Sequence, residues 1–166
     1  MSKLMTSILS AALLAEMAIG LPAAAQEHAH HSSAHAHAHG EAGIGKPGDP
    51  GKVTRTVRIE MQDSMRFTPQ SITVKRGEVI RFNAVNAGKV KHEMVIGSME
   101  SLIEHAKLMR KFPDMEHAEP NQVTLEPGKS GVIVWQFDAA GKVDFACLQP
   151  GHFEAGMKGV VDVVGK

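Results

Sequence analysis

Between two β-textured stretches near the C-terminus lies a segment that dictates how both must be used: Cys147-Leu148-Gln149-Pro150-Gly151-His152-Phe153-Glu154-Ala155-Gly156-Met157. Pro150, Gly151 and Gly156 break any regular element, so the segment is a loop joining two strands. Four residues separate Cys147 from His152, and four more separate His152 from Met157. A thiolate, an imidazole and a thioether on one short loop lack only a second imidazole. With it they make two His, one Cys and a weak axial Met, the ligand set of a mononuclear electron-transfer copper. Cys147 is the only cysteine, so it has no disulfide partner within the chain. A buried inert thiol is the alternative, and a His and a Met at ligand spacing count against it.

The rest of the C-terminal two thirds has β texture. Val53, Val57, Ile59 and Met61 alternate with polar residues, with Arg55 on the apolar face near the strand end. Phe67-Thr68-Pro69 through Ile72 and Val74 predict a second strand, and Glu78–Val85 a third. Lys91–Ile96, Gln122–Leu125, Gly131–Phe137, Val143–Cys147 and Lys158–Val164 complete the set. Arg76-Gly77, Asn86-Ala87-Gly88, Glu126-Pro127-Gly128 and Ala139-Ala140-Gly141 are turn signals at the spacing of a sandwich. One interruption has helical period: Met99, Leu102, Ile103, Ala106 and Met109, with Ser98 as N-cap and Pro113 forbidding continuation. The expected fold is all-β, a Greek-key β-sandwich of about seven or eight strands with one short helical insertion near residues 99–111.

The missing imidazole should come from a strand packed beside the loop. Four histidines follow residue 51: His92, His105, His117 and His152. His105 and His117 fall in the polar helix and the loop after it. His92 sits in an apolar strand, next to Val95-Ile96, and is the expected fourth donor.

The N-terminus reads as an export signal. Met1 and Lys3 precede an apolar run to Leu21, and Pro22-Ala23-Ala24-Ala25 offers small residues at a cleavage site after Ala25. An uncleaved membrane anchor is the alternative, and Glu16 within the run counts against it. Residues 1–25 are therefore expected to be a signal peptide, residues 26–51 a disordered His-rich tail, and residues 52–166 the folded domain. The mature chain is expected in the periplasm, with the membrane met only through the transient signal. The tail carries His28, His30, His31, His35, His37 and His39 among Ala and Ser. Imidazoles on such a segment are expected to capture further metal; a solubilising linker or a tag-like accident is the alternative. Lys+Arg and Asp+Glu balance at 18 each, so nothing in the charge points to nucleic acid.

Taken together, Phe67-Thr68-Pro69, Ile72 through Glu78, Phe82, Asn86, Lys91-His92-Glu93, and Cys147 through His152 to Met157-Lys158-Gly159 resemble the cupredoxins, the type 1 copper proteins. The likeness spans about Val53 to Val164. It implies His92, Cys147 and His152 as strong ligands and Met157 as the weak axial one, with copper cycling between Cu(I) and Cu(II) as the cofactor. Zinc also accepts two His and a thiolate, but Met offers it little. Glu93 departs from the family pattern, in which Asn often follows the first ligand His. A carboxylate there favours Cu(II) if it points inward, so a blue or a green centre stays open.

The insertion adds Met94, Met99, Met109, Met115, His105 and His117 between the first two ligands. Met99 and Met109 read as helix core. Met94, Met115 and His117 are candidates for a secondary copper site. The His-rich tail and the segment Lys107 to His117 resemble periplasmic copper-tolerance cupredoxins, which implies sequestration of copper, with a redox partner or a copper-export protein as the macromolecular partner. The alternative is a one-electron carrier docking through an apolar face around Pro150, Phe153 and Ala155. An enzyme is not expected, because copper oxidases and nitrite reductases need a second catalytic copper.

Overall fold

A computed structural model of the chain describes residues 43–113, 115 and 118–165. Its strands are β1 (Lys46–Pro47), β2 (Arg55–Gln62), β3 (Arg66–Thr68), β4 (Ser71–Lys75), β5 (Val79–Asn86), β6 (His92–Gly97), β7 (Gln122–Leu125), β8 (Ser130–Gln136), β9 (Gly141–Ala146) and β10 (Lys158–Val164). One helix, α1 (Met99–Lys111), lies between β6 and β7. Two five-stranded sheets result, ordered β1-β8-β5-β2-β3 and β4-β10-β9-β6-β7. Strands distant in sequence lie side by side, β2 parallel to β5 and β4 parallel to β10. The chain therefore crosses between sheets, as a Greek-key sandwich requires.

Period-two burial builds the core between the sheets. In β5, Ile80, Phe82 and Ala84 are fully buried and alternate with half-exposed neighbours. Facing side chains from β9 and β10, including Phe145 and Val161, close the layer from the other side. Phe67 meets Phe145 edge-to-face, with ring centroids 5.0 Å apart. Strand β6 is buried along its whole length, because both of its faces are covered. His92, Met94 and Ile96 look into the sandwich, whereas Val95 packs in a second cluster with Leu102, Ala106 and Met109 of α1. Ser98 caps α1, its Oγ accepting the Ser101 N–H at 3.1 Å.

Three expectations are corrected. The strands among the described residues number ten, against an expected seven or eight. The stretch Phe67–Val74 divides at the cis Thr68-Pro69 bond into β3 in one sheet and β4 in the other, and β1 lies in what was read as tail. The folded domain therefore starts before residue 52. Ile44 is buried, its carbonyl accepts the Trp135 indole N–H at 2.7 Å, and Lys46 and Pro47 pair with β8. Ile44→Ala is expected to cost about 2 kcal/mol, the low end for a buried aliphatic at the core margin; urea unfolding measures it. A cost near zero would return residues 43–51 to the tail. Met99 is also misread, being 36% exposed in the first turn of α1. The burying stripe is Leu102, Ala106 and Met109. Residues 1–42 lie outside the described residues, and with them the expected signal peptide and the tail histidines His28, His30, His31, His35, His37 and His39. No helix among the described residues is long and apolar enough to cross a membrane.

Candidate metal centre

The β9–β10 connection holds three of the expected donors. Cys147 directly follows β9, and its N–H donates to the Met157 carbonyl at 3.1 Å. Met157 N–H donates in turn to the His152 carbonyl at 3.0 Å, and His152 N–H to Gln149. Successive turns thus fold the loop back on itself, with its first and last donors side by side. Arg66 reaches over from β3, its Nη1 bonding the Ala155 carbonyl at 3.0 Å. Helix α1 braces the other side: Leu148 and half-buried Phe153 join its apolar cluster, and Arg110 pairs with Glu154.

His92 enters from the start of β6, paired with Leu125. Its Nδ1 lies 4.0 Å from Cys147 Sγ, and His152 Nδ1 lies 3.3 Å from the same sulfur. The three donor atoms fall within 4.8 Å of one another. The two imidazole rings stand 4.9 Å apart at 55°. Such separations leave room for one ion with metal–nitrogen and metal–sulfur bonds of about 2.0–2.3 Å. Met157 is fully buried in the same core cluster as Cys147. His92, Cys147, His152 and Met157 are arranged like a type 1 copper site.

Electrostatics fit a metal better than a free thiol. Burial pushes the Cys147 thiol up to about 12, opposed by the Gln149 and Glu93 N–H groups. The Glu93 N–H donates to Sγ at 3.2 Å. An ionised sulfur here needs a cation in place of its proton. Burial lowers the His152 pKa, and the neighbouring His92 lowers it further. The ring is thereby kept in the neutral form that ligates.

Residues 53–164 match the family of copper binding proteins described as plastocyanin/azurin. The chain belongs to that family. Its cofactor is copper, and its four candidate donors are arranged like a type 1 copper site. The chain is 52% identical over 160 residues to the "Copper-resistant cuproprotein CopI" of Rubrivivax gelatinosus, covering 94% of this chain and 97% of that one. It is 36% identical to the protein of the same name from Vibrio cholerae serotype O1, over 71% of this chain and 70% of the other. Among solved structures, auracyanin B superposes with a TM-score of 0.60 at 24% identity, over 72% of this chain and 96% of that one, a likeness of fold.

The remaining candidates separate. Met94 is fully buried in the sandwich core with its side chain on the His92 face, so it fills the core. Met115, at 36% exposed, lies in the turn after α1 and is not part of that cluster. His117 lies outside the described residues. Glu93 does not point toward the donors. Period two turns it to the opposite side of β6 from His92, where its carboxylate accepts the Thr124 hydroxyl at 2.9 Å.

One residue near the centre carries no sequence signal. Asp63, in the turn between β2 and β3, places Oδ1 3.1 Å from His92 Nε2. Its oxygens also accept the Lys89 N–H at 3.0 and 2.8 Å and the Val90 N–H at 3.4 Å. The Lys89 N–H, first, and then His92 and Val90 hold its carboxyl below the usual range. Buried Asn86 secures the same loop, its Nδ2 donating to the Val90 and Leu125 carbonyls at 2.8 and 2.9 Å.

Proposed function

We propose that the protein is an exported, periplasmic copper-binding protein that serves copper tolerance, holding copper through His92, Cys147, His152 and Met157. The convergence of the two imidazoles and the thiol carries this reading. Similarity to a copper-resistant cuproprotein along almost the whole chain supports the purpose. Copper bound here supplies one-electron Cu(I)/Cu(II) chemistry. The chain's own groups hold the donors in place: the loop's backbone ladder fixes Cys147 and Met157, and α1 backs Leu148 and Phe153. The protein acts by binding rather than as an enzyme. Its macromolecular partner is a redox protein or a copper exporter.

The tail histidines, Met115 and His117 are the secondary copper ligands in this proposal. Titrated with copper, the chain lacking residues 1–25 is expected to saturate above one equivalent. Deletion of residues 26–42, which stops short of Ile44, is expected to lower that number and weaken growth under excess copper. Saturation at one equivalent together with unchanged survival would leave the tolerance reading without support. Electron transfer would then stand alone. That second reading is favoured by His152, whose ring is only half-buried beside exposed Pro150 and Gly151.

A further inference from the structure

We propose that Asp63 is a positioning residue of the copper site: its carboxylate fixes which nitrogen of His92 faces the metal, and its charge weights the site toward Cu(II). The inference rests on the reading of His92 as a copper ligand.

A neutral imidazole has one N–H and one lone pair, and its surroundings decide which nitrogen carries which. His92 is fully buried, and its two nitrogens meet different partners. Nε2 lies 3.1 Å from Asp63 Oδ1, and Nδ1 faces Cys147 Sγ at 4.0 Å. An ionised carboxylate only accepts hydrogen bonds, so the N–H belongs on Nε2 and the lone pair on Nδ1. That is the tautomer a metal beside Cys147 needs. A carboxylate behind a ligating imidazole also makes the ring a stronger donor.

The carboxylate is itself held. Both oxygens accept the Lys89 N–H and Oδ1 also accepts that of Val90, so Asp63 is tied to the loop that leads into β6. Its side chain is 39% exposed while the ring it holds is buried, so the negative charge stays solvated and needs no cation of its own. Gly88 completes the arrangement by leaving space. A Cβ there would lie 2.0 Å from Asp63 Oδ1 and 3.0 Å from His92 Nε2. Any larger residue at 88 displaces the carboxylate from the ring.

Three variants test this: Asp63→Ala, Asp63→Asn and Gly88→Ala. The first readout needs no copper. Long-range proton–nitrogen NMR of the apoprotein is expected to show His92 in the Nε2–H form in the wild type, and a tautomer mixture in Asp63→Ala and Gly88→Ala. The second is the ratio of Cu(II) to Cu(I) affinity. Cu(II) binding is expected to fall about 10- to 100-fold in Asp63→Ala, and Cu(I) binding less. The reduction potential then rises, by about 59 mV for each tenfold change in the ratio. Asp63→Asn keeps an acceptor for the loop N–H groups, so its shift in the ratio isolates the charge. A purely structural role would lower both affinities together and leave the ratio alone. An unaltered His92 tautomer with an unaltered ratio in the folded variants would overturn the proposal. If Asp63→Ala does not fold, Asp63→Asn and Gly88→Ala decide. Failure of the underlying reading looks different: the copper spectrum of the protein would survive His92→Ala, and the proposal would fall with it.

Discussion

Cys147→Ser is expected to abolish the intense visible band of the copper-loaded protein and to leave its fold in place. The band expected of this site arises from charge transfer between an ionised sulfur and copper, and this chain has one sulfur able to ionise. That sulfur lies between His92 Nδ1 and His152 Nδ1, at 4.0 and 3.3 Å. A serine hydroxyl gives up its proton far less readily than a thiol, and burial already pushes the thiol at this position up to about 12. The serine variant therefore presents a neutral oxygen where copper requires an anion, and affinity falls along with colour. The fold survives because the change is small. The Glu93 N–H that donates to Sγ at 3.2 Å has an oxygen acceptor instead. Absorption spectra and copper titrations of the two proteins, with circular dichroism as the control, make the comparison. A band that persisted in the serine variant would place the ion elsewhere.

Phe145→Ala has the largest expected effect on stability, a loss of about 3–5 kcal/mol. Phe145 is fully buried at the centre of the sandwich. Its ring meets Phe67 of the opposite sheet at 71° and 5.0 Å, a geometry worth about 0.5–1.5 kcal/mol beyond burial alone. The ring also presses on β10, where a Cβ on Gly159 would stand 2.2 Å from Phe145 Cζ. Removing the ring leaves a cavity that rigid strands on both sides cannot close. Against a total stability of about 5–15 kcal/mol for such a domain, the loss is a large fraction. Urea unfolding should show a lower midpoint at an unchanged slope. Phe145 lies on the same strand face as Cys147, two residues before it, so the copper spectrum of the variant reports whether the slack reaches the site. A loss below about 1 kcal/mol would mean that the two sheets collapse into the gap, contrary to the packing described.

Sequence and structure agree where side-chain pattern and backbone need coincide. Gln122–Leu125 and Lys158–Val164 match their strands to the residue, because short runs rich in β-branched residues lie between clear turn signals. The donor loop was legible for a similar reason: three ligand types sit on one short connection, so local spacing alone implies convergence. His92 followed from its apolar strand. Strand β1 was hidden because two residues flanked by Gly45 and Gly48 show no period. Pro69 falls inside a single β-textured run, yet a proline that interrupts a ladder suits a crossing between sheets. Asp63 was invisible for another reason. An acidic residue in a turn is ordinary, and its partner lies 29 residues away. The direction of Glu93 follows from strand alternation, which places the residue after an inward ligand on the outward side.

The backbone bond from Cys147 to Met157 has a thermodynamic consequence. It lies next to the rung that pairs Ala146 with Lys158, so the β9–β10 ladder itself draws the ends of the donor loop together. Chain entropy lost in closing that loop is therefore lost when the domain folds, not when metal arrives. Cys147 and Met157 would therefore hold copper from a loop whose ends the ladder has already brought together. Copper held here would replace the proton of one sulfur, and because it would bind the folded chain alone it would add to the domain's stability.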